Sequence, residues 1–202
     1  MKKILSLIAV LSLATLTACG QANTAVTLGD ITISQTTFQE SVDTLLAERK
    51  GIDVSQMQLQ SGGDLNRSQL RFLIITTVFD EIAKELKLDV TTTEVTTTAQ
   101  ELVIQSGGEE ALATNLVAAQ IASTNFNRYV RAMIISDKLA AALQASGISE
   151  EEVGTRISEL VTAKGKEIGI EVNPRYGRWD HEAGDIIATD SANGAVTTPA
   201  TE

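Results

Sequence analysis

Hydrophobic positions follow the helical period along most of the chain and the two-residue period of a strand at its two ends. Near the N-terminus, apolar and polar residues alternate over residues 26–28 and 31–33, on both sides of Gly29-Asp30, which predicts a small β-hairpin. The alternation returns over residues 170–179, where it predicts a strand with Pro174 at a sheet edge. Because a lone hairpin is marginal in water, we expect the two segments to pair and to join the ends of the domain.

Between these segments the pattern predicts a multi-helix domain, so the fold class is mainly α with a small β element (α+β). Residues 51–64 are polar and predict a loop, with one helical turn around residues 54–59. The longest helix, over residues 65–88, is apolar almost all round in its first half, so we expect it to be central and buried. Five further helices are predicted. The first is capped by Ser34 and ends at Lys50-Gly51, the second is capped by Thr91 and ends at Gly107-Gly108, and the third runs from Glu109 to about Gln120. The fourth is capped by Ser123 or Thr124 and ends near Gly147, and the fifth begins with a capping box from Ser149 to Glu152 and ends before Gly169.

The first 18 residues have the three parts of a secretory signal peptide. Lys2 and Lys3 are followed by an apolar run over residues 4–16 and by the small residues Thr17-Ala18. A permanent membrane helix needs about 20 apolar residues, and this run is shorter. We therefore expect residues 1–18 to be removed.

The residues that end this segment, Leu16-Thr17-Ala18-Cys19, resemble the lipobox of bacterial lipoproteins. The resemblance implies cleavage between Ala18 and Cys19 and a diacylglyceryl lipid on the Cys19 thiol. Two acyl chains anchor a protein stably, so the predicted location is the extracytoplasmic face of the cell membrane. The alternative is an ordinary signal peptide that ends in a chance cysteine. Cys19 is the only cysteine of the chain, which excludes an internal disulfide.

The charge balance of the mature chain limits its partners. Removal of residues 1–18 leaves 184 of the 202 residues, a length that suits one domain, and takes the formal net charge from −10 to −12. An acidic surface of this kind argues against binding to nucleic acid. The predicted organisation is a lipidated tether over residues 19–25, a helical domain over residues 26–180, and a disordered acidic tail over residues 181–202.

Candidate catalytic chemistry is scarce. His181 is the only histidine and lies where the predicted tail begins, so a Ser-His-Asp or Cys-His arrangement has no suitable base. Cys19 is consumed by the lipid. The acidic groups Glu109-Glu110 and 150–152 lie at predicted helix starts, where the helix dipole accounts for them better than a metal does. We therefore predict no enzymatic activity, no metal and no cofactor.

A set of large apolar residues recurs on two of the predicted helices. Such residues can line a groove for apolar peptide segments, or they can be core residues, and the sequence leaves both interpretations open. The candidate peptide-binding residues are Phe72, Phe79, Phe126, Tyr129 and Met133.

Three segments together resemble the N-terminal, peptide-binding domain of the SurA and PrsA family of extracytoplasmic chaperone-foldases. They are VTLGDITISQTTF at residues 26–38, a buried helix from residue 70 that ends in AKELKLDVTTTEV at residues 83–95, and VNPRYGRW at residues 172–179. Their order and spacing extend the resemblance over about residues 24–180. The resemblance implies a holdase-like binder of unfolded or translocating polypeptides.

The chain also departs from that family. Many relatives carry a parvulin prolyl isomerase domain of about a hundred residues before the last helix, whereas the gap near Gly147-Ile148 is only a few residues long. We therefore expect no isomerase activity.

The alternative function is a cell-envelope scaffold that binds one folded partner without catalysis, and a lipid-anchored hydrolase is disfavoured by the missing base. Lipid-anchored relatives also indicate a bacterium with one membrane.

Overall fold

The structure is a computed structural model and describes residues 23–189. That part of the chain is mainly helical with small antiparallel sheets, which confirms the predicted fold class. The elements in chain order are β1 (Thr24–Leu28), β2 (Ile31–Ser34), α1 (Gln35–Glu48), α2 (Gly62–Glu85), α3 (Thr92–Ser106), α4 (Glu109–Ala118), α5 (Phe126–Ala145), α6 (Glu150–Ile168), β3 (Ile170–Val172), β4 (Arg178–Asp180) and β5 (Asp185–Ile187). Short 3₁₀ turns at Arg49–Gly51 and Ser123–Asn125 follow α1 and precede α5.

A three-stranded antiparallel sheet in the order β2-β1-β3 joins the two ends of the domain. In it, Leu28 lies opposite Ile170 and Val26 lies opposite Val172. The predicted pairing of the N-terminal hairpin with the C-terminal strand is therefore confirmed. Strand β1 begins at Thr24, so the predicted tether over residues 19–25 is two residues too long at its C-terminal end. The local pattern could not show this, because the extension depends on pairing with other segments. Thr24 pairs with Ser34 of β2, and the Asn173 N–H donates to the Ala25 carbonyl at 2.9 Å.

Helix α2 is the centre of the fold and packs against α1, α5 and α6. Its side chains Leu70, Leu73, Ile74 and Val78 are buried, as the apolar first half of the predicted helix indicated. Burial of such a side chain contributes about 1.5–3 kcal/mol, so these four residues of α2 contribute substantially to the stability of the core. Within residues 23–189, none of the helices combines the length and the apolarity that spanning a bilayer requires.

Two predicted N-caps are confirmed and two others are wrong. The Thr37 N–H donates to Ser34 Oγ at 3.0 Å, and the Glu94 N–H donates to Thr91 Oγ1 at 3.1 Å. Neither Ser123 nor Thr124 caps α5, because a 3₁₀ turn occupies those positions. At the start of α6 no side chain caps the backbone, since Ser149 Oγ instead bonds the Glu152 carboxylate at 2.8 Å.

The ends of α2 differ from the predicted range of residues 65–88. The helix begins at Gly62, so Gly62 and Gly63, which lie in the predicted loop over residues 51–64, form its first turn. It ends at Glu85 because Lys87 adopts a left-handed conformation with φ 53°, and the Leu88 N–H then donates to the Ala83 carbonyl at 2.8 Å. The helical turn predicted around residues 54–59 is a single hydrogen-bonded turn, in which the Met57 N–H donates to the Val54 carbonyl at 3.0 Å.

The C-terminal segment differs most from the prediction. The strand predicted over residues 170–179 is two strands, β3 and β4, separated by a turn. The tail predicted to be disordered from His181 is ordered as far as β5, which pairs with β4 and places Ile186 opposite Trp179. Both side chains are buried, so the apolar surface that they cover stabilises this hairpin. The domain predicted to end at residue 180 therefore extends through Ile187.

Gly177 is required by the turn between β3 and β4. Its φ is 127°, and a Cβ atom there would lie 2.2 Å from the Ile187 carbonyl oxygen. We expect Gly177→Ala to lower the free energy of unfolding by about 2 kcal/mol and to shift the emission of Trp179 to the red. Urea unfolding measures the first effect and fluorescence the second.

The matched control is Gly154→Ala on α6. A Cβ atom at Gly154 meets nothing within 4 Å, and the residue is exposed inside the helix. This change is expected to raise the free energy of unfolding by about 0.5–1 kcal/mol, because alanine has the higher helix propensity. Equal stability of the two variants would contradict the assigned turn geometry.

Candidate groove between helices α2 and α5

A groove of about 400 Å³ lies between α2, α5 and the connection from α4 to α5. Its volume is within the range of about 300–1,000 Å³ found for ligand pockets. The polar lining residues are Gln60, Ser68, Gln69, Arg71, Thr76 and Gln120. The apolar lining residues are Phe72, Ile75 and Phe79 from α2, Ala119 and Ile121 from the connection, and Tyr129 and Ala132 from α5.

The helical repeat places the α2 lining residues on one face. Phe72, Ile75 and Phe79 are separated by three and four residues, so they lie above one another along the helix. All three are half-buried and pack against the core at one edge while the other edge faces the groove. The groove is therefore a continuation of the core surface that no helix of the described chain covers completely.

The structure brings together three of the five candidate peptide-binding residues: Phe72, Phe79 and Tyr129 line the groove. Phe126 packs against the core, and Met133 is not among the lining residues. A helix turns about 100° per residue, so these side chains point in different directions about the axis of α5. Relative to Tyr129, Ala132 is rotated by about 60° in one direction. Met133 is rotated by about 40° and Phe126 by about 60° in the opposite direction. The groove is on the Ala132 side of α5.

Sequence reasoning missed Ile75 and Ala132. Ile75 continues the spacing of Phe72 and Phe79, so the helical period contained the signal for it. Ala132 gives no such signal, because a small residue on a helix surface is ordinary. Tyr129 is 36% exposed, which makes it the most accessible aromatic side chain of the groove.

A buried glutamine, Gln69, fixes one end of the groove. Its side chain is 1% exposed, and its Oε1 accepts a hydrogen bond from Ser41 Oγ at 2.8 Å. Its Nε2 donates to the Gln120 carbonyl at 2.8 Å. Asn125 Nδ2 completes this set by donating to Ser41 Oγ at 2.7 Å. These bonds tie α1, α2 and the α4–α5 connection together at the point where the groove closes.

Arg49 and Gln60 extend this network to the surface. Gln120 Oε1 accepts from the Gln60 N–H at 2.9 Å and from Arg49 Nη2 at 3.1 Å, and Arg49 Nη1 donates to the Gln60 carbonyl at 2.7 Å. Burial lowers the pKa of Arg49 from its usual value. Gln120 has a left-handed backbone with φ 59°, and these bonds hold that conformation in place.

The β4–β5 hairpin contacts Arg71, which lines the groove. Arg71 Nε donates to the Gly184 carbonyl at 2.7 Å and lies 3.7 Å from the Asp185 carboxylate. In the same hairpin, hydrogen bonds from the backbone N–H groups of Ala183 and Glu182 lower the pKa of Asp180. The stability that this shift contributes is present above the ordinary pKa of an aspartate and is lost as pH falls through the lowered value.

The described residues offer little for catalysis or metal binding. Within residues 23–189, no group of three or more His, Cys, Asp or Glu side chains is arranged to hold a metal ion. The acidic residues Glu109-Glu110 and 150–152 lie in the first turns of α4 and α6, as predicted. His181 lies in the turn between β4 and β5, with its Nδ1 buried and without a hydrogen-bond partner among the described residues.

A family model matches most of the chain. This model, described as SurA-like N-terminal domain, matches residues 1–140, which is more than half of the 202 residues. The chain belongs to this family. The SurA N-terminal domain is a chaperone-type domain, so the resemblance predicted from the sequence is confirmed. No curated protein and no solved structure matches the chain.

The SurA-like match includes both helices that form the groove. It covers all of α2 and continues into α5 as far as residue 140, whereas α6 and strands β3 to β5 lie beyond it. The segment at residues 172–179 that entered the resemblance therefore lies outside the matched range. The predicted signal peptide, the predicted cleavage and lipidation residues Ala18 and Cys19, and residues 190–202 of the predicted tail lie outside the described residues.

Proposed function

We propose that the protein is a lipid-anchored, extracytoplasmic chaperone that holds apolar segments of unfolded or exported polypeptides in the α2–α5 groove. The observation that carries this proposal is the half-buried row of Phe72, Ile75 and Phe79 facing the exposed ring of Tyr129. Apolar and aromatic surface that is left uncovered by the fold is the surface that binds apolar chain segments. Membership of the SurA-like family supports the same function.

The size and shape of the groove suit short, transient contacts. A volume of about 400 Å³ accommodates a few side chains of an extended segment, and it is too small for a folded domain. Association with so small a surface is weak, which suits a holdase that must release its client. Only four residues, 146–149, join α5 to α6, where relatives with isomerase activity carry the parvulin domain. We infer that the protein binds its clients without isomerising them.

Suppression of aggregation tests this function. The mature chain starting at Gly20, without its lipid, is expected to slow the aggregation of a chemically unfolded client in proportion to its concentration. Absence of protection for any unfolded client would contradict the chaperone function. Capture of one folded envelope protein, with no effect on unfolded clients, would instead support the scaffold alternative. Turnover of a proline-isomer reporter would contradict the proposed absence of isomerase activity.

The lipid anchor is tested by Cys19→Ser. Serine has no thiol for the diacylglyceryl group, so this variant is expected to move from the detergent-rich phase to the aqueous phase in a detergent partition experiment. Gln21→Ser is the control, because it lies outside the four residues of the lipobox and leaves the thiol in place. Mass spectrometry of the mature N-terminus identifies the lipid directly. Retention of Cys19→Ser in the detergent phase would contradict the anchor.

A further inference from the structure

The turn between β3 and β4 lies next to the point where the N-terminal tether enters the domain. Asn173 Nδ2 donates to the Thr24 carbonyl at 2.9 Å, and Thr24 and Arg178 line the same surface hollow. Thr24 is five positions after Cys19, and a fully extended chain over five positions spans at most about 18 Å. A lipid on Cys19 therefore brings this turn close to the bilayer surface.

Two arginines on this turn are available to a partner. Arg175 and Arg178 are exposed, and neither forms an ion pair with a carboxylate of the described residues. Two acidic groups lie nearby. Glu171 lines the same hollow. Asp180 accepts two backbone hydrogen bonds, which lower its pKa, and the charge of Arg178 lowers that pKa further. The guanidinium carbon of Arg175 also lies 5.9 Å from the centroid of the Tyr176 ring. In a chain with a large excess of acidic residues, this exposed pair of guanidinium groups is a local basic site.

The turn is held rigidly by Tyr176. The Tyr176 ring contacts the edge of Phe38 with ring centroids 4.8 Å apart, and its hydroxyl bonds with the Gln35 side chain. The Arg175 N–H donates to Asn173 Oδ1 at 3.2 Å, which fixes the backbone of the turn. Since these contacts hold the turn in place, little backbone entropy is lost when the two arginines bind.

We propose that the 173–178 turn is the membrane-facing surface of the protein, with Arg175 and Arg178 contacting the phosphates of anionic phospholipids. The inference rests on the lipid anchor proposed above. It adds a fixed orientation: the lipid supplies attachment, and the two arginines determine which side of the domain faces the bilayer. Each basic residue at an anionic surface is expected to favour this orientation about fivefold. The β4–β5 hairpin connects this turn to Arg71, which lines the groove. The orientation therefore also fixes the distance of the groove from the bilayer surface.

Trp179 reports the orientation, because it is the only tryptophan of the chain and follows Arg178 directly. Full-length lipidated protein is reconstituted into vesicles that carry a nitroxide on the headgroup of a fraction of their phosphatidylcholine. One set contains phosphatidylcholine alone, and the other contains about 30% phosphatidylglycerol. We expect stronger quenching of Trp179 in the anionic vesicles. The double variant Arg175→Gln/Arg178→Gln is expected to reduce that quenching to the level in neutral vesicles.

Two further variants control for charge and for folding. Arg156→Gln/Lys166→Gln removes the same charge from exposed positions of α6 and is expected to keep the quenching. Arg175→Lys/Arg178→Lys keeps the charge on the turn and is expected to restore it. Failure of the wild-type protein to float with vesicles would overturn the anchor and the orientation together. Flotation with equal quenching in both kinds of vesicle would overturn the orientation alone.

Discussion

Replacing Gln69 with leucine is expected to lower the free energy of unfolding by about 3 kcal/mol. The substitution keeps the volume of the side chain close to its original value but removes both of its hydrogen bonds. Ser41 Oγ then lacks its acceptor, and the Gln120 carbonyl lacks its donor. Ser41 Oγ and the Gln120 carbonyl are shielded from solvent where the groove closes, so water replaces the lost hydrogen bonds poorly. Each group then lowers the free energy of unfolding. Urea unfolding followed by circular dichroism measures the change.

Gln39→Leu is the control for this prediction. Gln39 lies on the exposed face of α1 and bonds only to Asp43, four residues later, at 3.1 Å. The same chemical change there is expected to alter the free energy of unfolding by less than about 0.5 kcal/mol. Similar values for Gln69→Leu and Gln39→Leu would show that the buried network contributes nothing particular to stability.

Filling the groove is expected to weaken client binding strongly without unfolding the domain. Ala132 is half-buried on the α5 wall, so Ala132→Arg places a long charged side chain across the apolar surface between α2 and α5. Arginine has a high helix propensity, and its charged end can reach solvent from this open groove. We expect the affinity for an unfolded client to fall at least about tenfold, because contacts at the centre of an interface dominate its energy. Fluorescence anisotropy of a labelled unfolded polypeptide measures the affinity.

The matched control makes the same substitution on the exposed face of the same helix. Ala141→Arg changes the charge of the protein equally but lies outside the groove. Its affinity for the client is expected to stay within about twofold of the wild type. If Ala132→Arg and Ala141→Arg bound the client equally well, the groove would not be the binding site.

The elements that could be predicted from the sequence are those whose signal is local. The hairpin around Gly29-Asp30 and the caps Ser34 and Thr91 depend on neighbouring residues, and each was predicted at its correct position. The pairing of β1 with β3 could also be predicted, because a hairpin needs further strands for stability and the only other alternating segment was at the C-terminus.

The features that could not be predicted depend on how distant elements meet. Whether Tyr129 or Met133 faces α2 is decided by the rotation of α5 about its axis, and both interpretations satisfy the helical period. Gln69 has the residue type of a surface position, and only Ser41 and Gln120, which are remote in sequence, account for its burial. Strand β5 has a short, weak pattern, and its order results from the burial of Ile186 with Trp179.

The measurement that tests the central claim most directly is site-specific photocrosslinking from the groove. A benzophenone amino acid replaces Tyr129, whose ring is already exposed in the groove, and Asp137, which is exposed on another side of α5, serves as the control position. With an unfolded client, position 129 is expected to give a crosslink, and the folded form of the same client is expected to give none. Equal crosslinking from positions 129 and 137, or crosslinking to the folded client alone, would contradict the groove as the site where this SurA-like domain holds unfolded chains.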